Sequence, residues 1–520
     1  MVIKYPLMSE MSETTKTAAG GSPPRRVPRP APRPRSEQRL ASREELERQE
    51  EYLQRAARNT ARLAGILGRT PTFHVQNFGC QMNARDAEKL TGILRAAGYE
   101  EIAEESADFV IYNTCTVRDN ADQHFYGRLG RAAHYRKQNP AMKIAVCGCL
   151  TQEPSAVEKL KKSYPYVDLI FGTHNLFCFP QYLCRVYEDE NGEFALKGRR
   201  VTEIWDATDE IVEDLPVQRR YPFKSGVNIM FGCDNYCTYC IVPYVRGHER
   251  CREPKDILRE CERLADDGVV EIMLLGQNVD TYGRDLEQPC TFAELLREVA
   301  AIDGIRRIRF MTPHPRDISE EVLRVMQDHP KIARHIHFPL QSGSNAILRR
   351  MNRCYTREQF LTKALRIREM LPDAAITTDI ITGFPGETPA DVDDTIDVIR
   401  RVHFDNAYTF IYSPRRGTPA AAWELSPKEE IQAQFDRVLA AVQQSAREQA
   451  AARTGQTLCA LAEEMNSQQP GFVTCRLSNN LIVHVRGTSA MIGRFYDVRL
   501  DECRNFYYYG TVLRENPRGW

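Results

Sequence analysis

Three cysteines, Cys233, Cys237 and Cys240, fall within eight residues of the stretch MFGCDNYCTYC. The spacing C-x3-C-x2-C brings three thiols to one loop only if the backbone curls tightly, and Gly232 stands at the turn into it. A structural zinc site asks for four protein ligands. His248 and Cys251 lie eight and eleven residues past Cys240, so zinc stays open as an alternative, although they fit no common zinc spacing. An iron–sulfur cubane fits better, because clusters are held by thiolates. Three thiolates leave one iron open for a substrate or cofactor.

A second set is scattered. Cys80, Cys115 and Cys149 lie 35 and 34 residues apart, so no short motif joins them. Each follows an apolar run: TFHVQNF, ADFVIYNT and MKIAVCG. In a parallel sheet the carboxyl ends of the strands form one rim, where ligands bind. Three distant cysteines can therefore meet there. Cys147, two residues before Cys149, belongs inside its strand and in the core.

The elements that must position these thiols follow from the same pattern. Helical segments at 83–97, 117–137 and 152–162 alternate with the three runs, and YVDLIFGT adds a fourth strand. This is an α/β domain over 70–187, preceded by a helical extension at 43–69 and followed by a polar linker at 188–218. Six apolar runs then alternate with helical patterns: 226–231, 270–275, 305–311, 335–340, 375–382 and 406–412. Six βα units over 219–451 predict a partial (β/α)6 TIM-like barrel, with C233 to C240 in its first βα loop, at the face where such barrels carry their sites. A long alanine-rich helix at 427–451 leaves it. Residues 452–517, with short strands such as LIVHVRG and RFYDVRL, read as a small β-barrel. The fold class is α/β throughout the first two domains.

Composition sets the outer bounds. Lys+Arg and Asp+Glu are equal at 70 each, so whole-chain charge argues for no polyanionic partner, although local patches remain open. No run approaches a membrane span, and the N-terminus lacks the apolar core of a secretory signal. The chain reads as soluble and cytoplasmic. Sixteen cysteines in such a chain point to metal or redox chemistry, with Cys178, Cys184, Cys261, Cys290 and Cys354 expected to be ordinary core residues. Residues 21–40 hold six Arg and six Pro, and 1–42 read as a disordered tail.

Motifs along the chain point further. NFGCQMNARDAEKL, NTCTVRDNAD, CGCLTQ, MFGCDNYCTYCIVPYVRGHER, LLGQNVDTYG, PLQSGSNAILRRMNR and TDIITGFPGET stand in order, followed by residues 409–422. Together they resemble the radical S-adenosylmethionine (SAM) methylthiotransferases, and within them the MiaB-type tRNA enzymes, over roughly 71–515. The resemblance implies two [4Fe-4S] clusters: an auxiliary one on Cys80, Cys115 and Cys149, and one on Cys233, Cys237 and Cys240 whose open iron chelates SAM. It implies reductive cleavage of SAM to a 5′-deoxyadenosyl radical. A second SAM would methylate a sulfur on the auxiliary cluster, and the methylthio group would go to C2 of N6-isopentenyladenosine beside the anticodon. That C–H is unactivated, and no side-chain base removes its proton in water, so a cofactor radical suits it. Tyr239 resembles the family's aromatic against the SAM adenine, Gln277 and Asn278 the segment near the methionine amino group, and Ser342 lies at a later strand end on the same rim. Ordinary turn and capping roles compete for each of these. Cys251 stands where the family usually has a small hydroxyl residue.

The resemblance further implies a TRAM-like RNA-binding barrel, tRNA as substrate, an electron donor such as flavodoxin or ferredoxin, and a monomer. Arg476, His484, Arg486, Arg494, Phe506, Tyr507, Tyr508 and Tyr509 are its aromatic and basic residues, about half of them expected in the core. Two alternatives remain at this point: a methylthiotransferase for threonylcarbamoyl-adenosine or a ribosomal protein, and a non-catalytic metal-binding RNA-binding protein.

Overall fold

The computed structural model describes residues 43–116, 119–208, 211–213, 215–504 and 506–520. The expectation for 1–42 lies outside the described residues.

The first domain is a six-stranded parallel sheet. Its strands are β1 (Thr72–Asn77), β2 (Glu100–Glu101), β3 (Phe109–Thr114), β4 (Lys143–Gly148), β5 (Leu169–Phe171) and β6 (Val201–Glu203), in the order β2-β1-β3-β4-β5-β6. β3 and β4 are buried along their whole length, which is why they read as near-continuous apolar runs rather than alternating ones. β6 comes from the stretch read as linker, and it extends the sheet beyond β5. Its three residues, set among polar ones, carry no strand period of their own. Helices α2 (Gln81–Ala96), α3 (Asp119–Gln138), α4 (Pro154–Ser163) and α5 (Phe179–Arg185) cover the faces. The helix α1 (Arg43–Leu67) is more than an extension. Leu53, Ala56 and Leu63 enter the core beside Phe109, Tyr182 and Leu183, and Arg55 pairs with buried Glu188 at 2.7 Å.

Strands β7 (Lys224–Asn228), β8 (Met230–Phe231) and β9 (Arg250–Cys251) open the second domain. The barrel strands that follow are β10 (Glu271–Leu275), β11 (Arg307–Phe310), β12 (His335–His337), β13 (Ala375–Thr382) and β14 (Asn406–Ile411). They form two parallel sheets, β11-β10-β7 and β12-β13-β14, linked by a bridge between Ile308 and Ile332. The barrel is therefore open between β7 and β14. Reciprocal caps, Thr291 with Glu294, Thr356 with Gln359 and Thr388 with Asp391, start three of its helices. The helix Lys428–Ala452 seats Val438 and Val442 in the same core as Ala407 of β14, so the opposite face of β14 looks into the barrel.

β15 (Thr457–Met465), β16 (Phe472–Leu477), β17 (Ile482–Arg486), β18 (Phe495–Arg504) and β19 (Tyr507–Glu515) close a barrel in the order β15-β16-β17-β19-β18. It is stapled to the second domain by two buried arginines. Arg307 donates to the carbonyls of Arg476, Cys459 and Gly519 at 2.9, 3.2 and 3.3 Å, and Arg309 to Leu477 at 2.8 Å. Of the aromatics in this barrel, Tyr508 is fully buried and donates to Ala450 at 2.8 Å.

Cys178, Cys184 and Cys261 are buried as expected. Cys290 is only half-buried, and Cys354 is exposed. Cys354 sits in the turn between the helices Asn345–Arg350 and Arg357–Met370, where no core reaches it.

Candidate active site

The loop after β7 and β8 is curled as three inward thiols require. Gly232 has φ +77° and Tyr236 φ +45°, and the second is a left-handed value that a tyrosine adopts only when its surroundings hold it. Asn352 provides one hold, donating to the carbonyl of Tyr236 at 2.9 Å. Backbone bonds supply the rest: Cys233 N–H to Gly247 at 3.1 Å, Thr238 N–H to Met351 at 3.0 Å and Ala420 N–H to Thr238 at 2.9 Å. Polar donors face the sulfurs. Asn235 lies 3.5 Å from Cys233 Sγ, and the buried guanidinium of Arg353 lies 3.6 Å from Cys237 Sγ. Burial pushes the Cys240 thiol up to about 12, with Cys237 adding to it and Arg353 opposing.

The second set gathers on the rim of the first sheet. Cys80 caps α2 after β1, Cys115 follows β3, and Cys149 follows β4 in a short 3-10 turn. Asn83, fully buried, is the common neighbour. Its Oδ1 lies 3.3 Å from Cys80 Sγ and 4.0 Å from Cys149 Sγ, and its Nδ2 donates to the carbonyl of Thr114, one residue before Cys115, at 2.9 Å. Cys147 is fully buried among Ala145 and Phe171 inside β4, apart from this rim. Burial raises the Cys149 thiol, and Arg246 opposes that rise.

The two rims meet across a polar junction. Arg85 of α2 pairs with Glu260 at 3.0 Å, Arg252 pairs with the same carboxylate at 2.6 Å, Lys89 pairs with Glu213 at 2.7 Å, and Arg246 pairs with Asp86 at 2.9 Å. Gln277, at the end of β10, turns its amide N–H toward Met82 of α2, and its Oε1 is buried without a partner. Tyr239 packs beside Phe384, Ile381 and Trp423 next to the loop. Ser342 is fully buried and its Oγ accepts from Ser344 N–H at 3.2 Å, which gives it a partner in its own turn. Asn278 donates to Asp317 at 2.9 Å. His248 faces Asp234 at 2.7 Å, and Cys251, buried, accepts from Gly283 N–H at 3.2 Å. Neither joins the three loop cysteines.

Residues 72–172 match the uncharacterized protein family UPF0004, residues 227–399 the Radical SAM superfamily and residues 451–513 the TRAM domain. The chain is 50% identical over 455 residues to the tRNA-2-methylthio-N(6)-dimethylallyladenosine synthase of Lachnoclostridium phytofermentans, covering 87% of this chain and 98% of that one. The same enzyme of Alkaliphilus oremlandii is 44% identical over 450 residues, covering 86% of this chain and 94% of that one. The chain belongs to the family of tRNA-2-methylthio-N6-dimethylallyladenosine synthases. A radical SAM methyltransferase, TsrM of Kitasatospora setae, aligns with a TM-score of 0.47 at 13% identity, covering 68% of this chain and 75% of that one.

A synthase of this family uses SAM and [4Fe-4S] clusters, and the two cysteine sets fit them. Among the described residues no three such side chains are spaced to share a single ion. A cubane does not ask for that, since each thiolate binds a different iron. Each set also has one buried guanidinium on a sulfur, Arg246 on Cys149 and Arg353 on Cys237. Such a donor stabilises a thiolate that burial alone disfavours. The unpartnered Gln277 Oε1 is free to accept from an ammonium group. Sequence reasoning missed Asn83, Arg246 and Arg353. Each lies inside a motif that carried the resemblance, but a polar residue reads as surface until the fold encloses it.

Proposed function

We propose that this enzyme places a methylthio group on C2 of N6-dimethylallyladenosine in tRNA, with Cys233, Cys237 and Cys240 holding the SAM-binding cluster and Cys80, Cys115 and Cys149 the auxiliary one. The observation that carries this reading is the pair of three-cysteine sets on the facing rims of two α/β domains. When bound, the clusters and SAM supply a hydrogen-abstracting radical and the sulfur to be transferred. The chain's own residues bind, orient and exclude water. Tyr239 offers its ring to an adenine beside the loop, and Gln277 Oε1 accepts from the amino group of SAM. Ser342, buried on the same rim with its Oγ accepting from Ser344 N–H, completes the cofactor-binding set.

The inner face of β14 suits the modified base. Tyr408 and Phe410 are exposed there, 49% and 40%, although both are large and apolar. Phe410 pairs in register with Ile381, which packs in the cluster containing Tyr239. A flat purine with an apolar prenyl arm would cover this surface and lie near the SAM loop. On the C-terminal barrel, His484 packs against Tyr507 and Tyr509 at 5.0 and 5.9 Å, and Phe472 against Tyr509 at 5.7 Å, with Arg486 over Phe472 and Arg504 over Tyr509. Aromatic and guanidinium surfaces of this kind take RNA bases by stacking. The chain has no helix long and apolar enough to cross a membrane among the described residues. A cytoplasmic monomer reduced by flavodoxin or ferredoxin completes the reading.

The test is nucleoside mass spectrometry of tRNA from a strain lacking the gene. The methylthio group should vanish while the dimethylallyl group stays. Reconstituted protein should carry about eight irons from two cubanes. Cys237→Ala should keep the auxiliary cluster and lose 5′-deoxyadenosine production. Zinc in place of iron, or 5′-deoxyadenosine from Cys237→Ala, would overturn the assignment.

A further inference from the structure

Arg246 ends the short helix α6 (Val242–Arg246), six residues after Cys240 of the SAM loop. Its side chain leaves its own domain. The Nε–H donates to Cys149 Sγ at 3.3 Å, and Nη2 donates to Asp86 Oδ2 at 2.9 Å. Both charged groups are more than nine-tenths buried, at 7% and 8% exposure. The neighbouring residues Ile241 and Val245 pack directly on Cys149. Thr173 Oγ1, from the first domain, donates to the Val245 carbonyl at 3.0 Å. Gly247 then turns back, and its carbonyl accepts from Cys233 N–H. The segment 240–247 is thus a strap with both ends in the SAM loop and its middle on a cysteine of the other domain.

We propose that Arg246 is a positioning residue for the auxiliary centre, tying it to the SAM loop and raising its reduction potential through the hydrogen bond to Cys149. One-electron reduction makes a thiolate-held cluster more negative without changing its ligands. A guanidinium aimed at one sulfur stabilises that reduced form, as hydrogen bonds to cluster sulfurs do generally. Asp86 on the far side of the guanidinium fixes its direction and partly offsets its charge. The charges beyond it, Arg85 with Glu260 and Arg252, and Lys89 with Glu213, are already paired with one another.

The inference rests on the assignment of the auxiliary centre, and the experiment separates the two. In full-length chain with Cys233, Cys237 and Cys240 all replaced by alanine, the remaining cluster is reconstituted and its midpoint potential measured by dithionite titration followed by electron paramagnetic resonance. Arg246→Gln should leave about tenfold less reduced cluster at a given potential, a shift of about 59 mV to more negative values for a one-electron couple. Arg246→Lys, which keeps the charge, should recover part of it. Asp86→Asn, which leaves Arg246 in place without its counter-charge, should shift the potential the other way. An unchanged potential in Arg246→Gln overturns the proposal. If that variant fails to load iron, an unchanged potential in Asp86→Asn overturns it instead. A cluster signal that survives the further loss of Cys80, Cys115 and Cys149 overturns the assignment beneath it.

Discussion

Gly232→Ala probes the SAM loop with the smallest possible change. The residue has φ +77°, a left-handed value that costs an alanine about 1–2 kcal/mol. The new Cβ would overlap the carbonyl of His248 and approach that of Gly247 to 2.5 Å. Both are backbone atoms at the end of the strap and just beyond it, so no side chain can swing away. The easiest relief is to push Gly247 back, which stretches the bond from Cys233 N–H at 3.1 Å, worth about 1 kcal/mol. The local cost sums to about 2–3 kcal/mol before any displacement of Cys233 Sγ is counted. A reacting group misplaced by about 1 Å can lose about 100-fold in rate. The overlap reaches Cys233, the proposed cluster ligand one residue away, while the sheet of the first domain is untouched. Anaerobically reconstituted Gly232→Ala should therefore keep about four irons of about eight. Its 5′-deoxyadenosine production should fall by at least about 100-fold. Full iron with unimpaired SAM cleavage in the alanine variant would refute the reasoning, since the loop would then have room that the geometry denies.

Other perturbations read different parts of the molecule. Cys147→Ala should retain both clusters and cost only about 1 kcal/mol of stability for a methyl-sized void, whereas Cys149→Ala should lose the auxiliary iron; iron assay alone distinguishes them. Leu63→Ala, at a site 1% exposed, should cost about 2–5 kcal/mol in urea denaturation, because α1 is part of the first core. His174 is buried, and that burial, with the charges of Arg250 and Arg246, lowers its pKa to about 3. Folding then favours the neutral ring, so its contribution is complete above the unfolded value of about 6.5 and is lost as pH falls from there toward 3. At pH 5.5 the loss is about 1.4 kcal/mol, and His174→Gln should remove that share of the acid sensitivity in denaturation curves at pH 7.5 and 5.5.

The barrel and sheet were legible because their strands are apolar blocks whose period survives without tertiary help. β13 spans Ala375–Thr382, where the run 375–382 predicts it, and α1 spans Arg43–Leu67, within the helical extension read over 43–69. The rim rule likewise puts Cys80, Cys115 and Cys149 at three strand ends, where the structure has them. What stayed hidden was the set of polar groups whose partners lie far away in sequence. Arg307 has an ordinary arginine's sequence context, yet it is 1% exposed and holds carbonyls more than 150 residues distant. Arg246 reaches Cys149 across 97 residues. Helical period alone could not show that α1 buries its apolar stripe, because an exposed amphipathic helix has the same pattern. Ser342 shows the limit of a strand-end signal: its hydroxyl accepts from Ser344 N–H, a partner that the position alone does not reveal.

The charged junction between the first two domains has a physical rationale beyond adhesion. Buried ion pairs offer little net stability over apolar packing of the same shape, because desolvation offsets the attraction. Loss of one partner is costly all the same, about 3–5 kcal/mol, since the other charge is left buried and alone. A junction built from Arg85, Glu260, Arg252, Lys89, Glu213, Asp86 and Arg246 is therefore indifferent to how tightly the domains stick and intolerant of how they are turned. An apolar junction could slide by a side chain's width at little cost. One whose guanidinium groups must meet particular carboxylate oxygens at 2.6–3.0 Å cannot. The two centres proposed for these domains need that kind of constraint, because a group handed from one to the other depends on their separation and angle. The strap carrying Arg246 adds the most direct version of it. The segment that curls around one set of thiols also touches the other, so neither site can move without the other registering it.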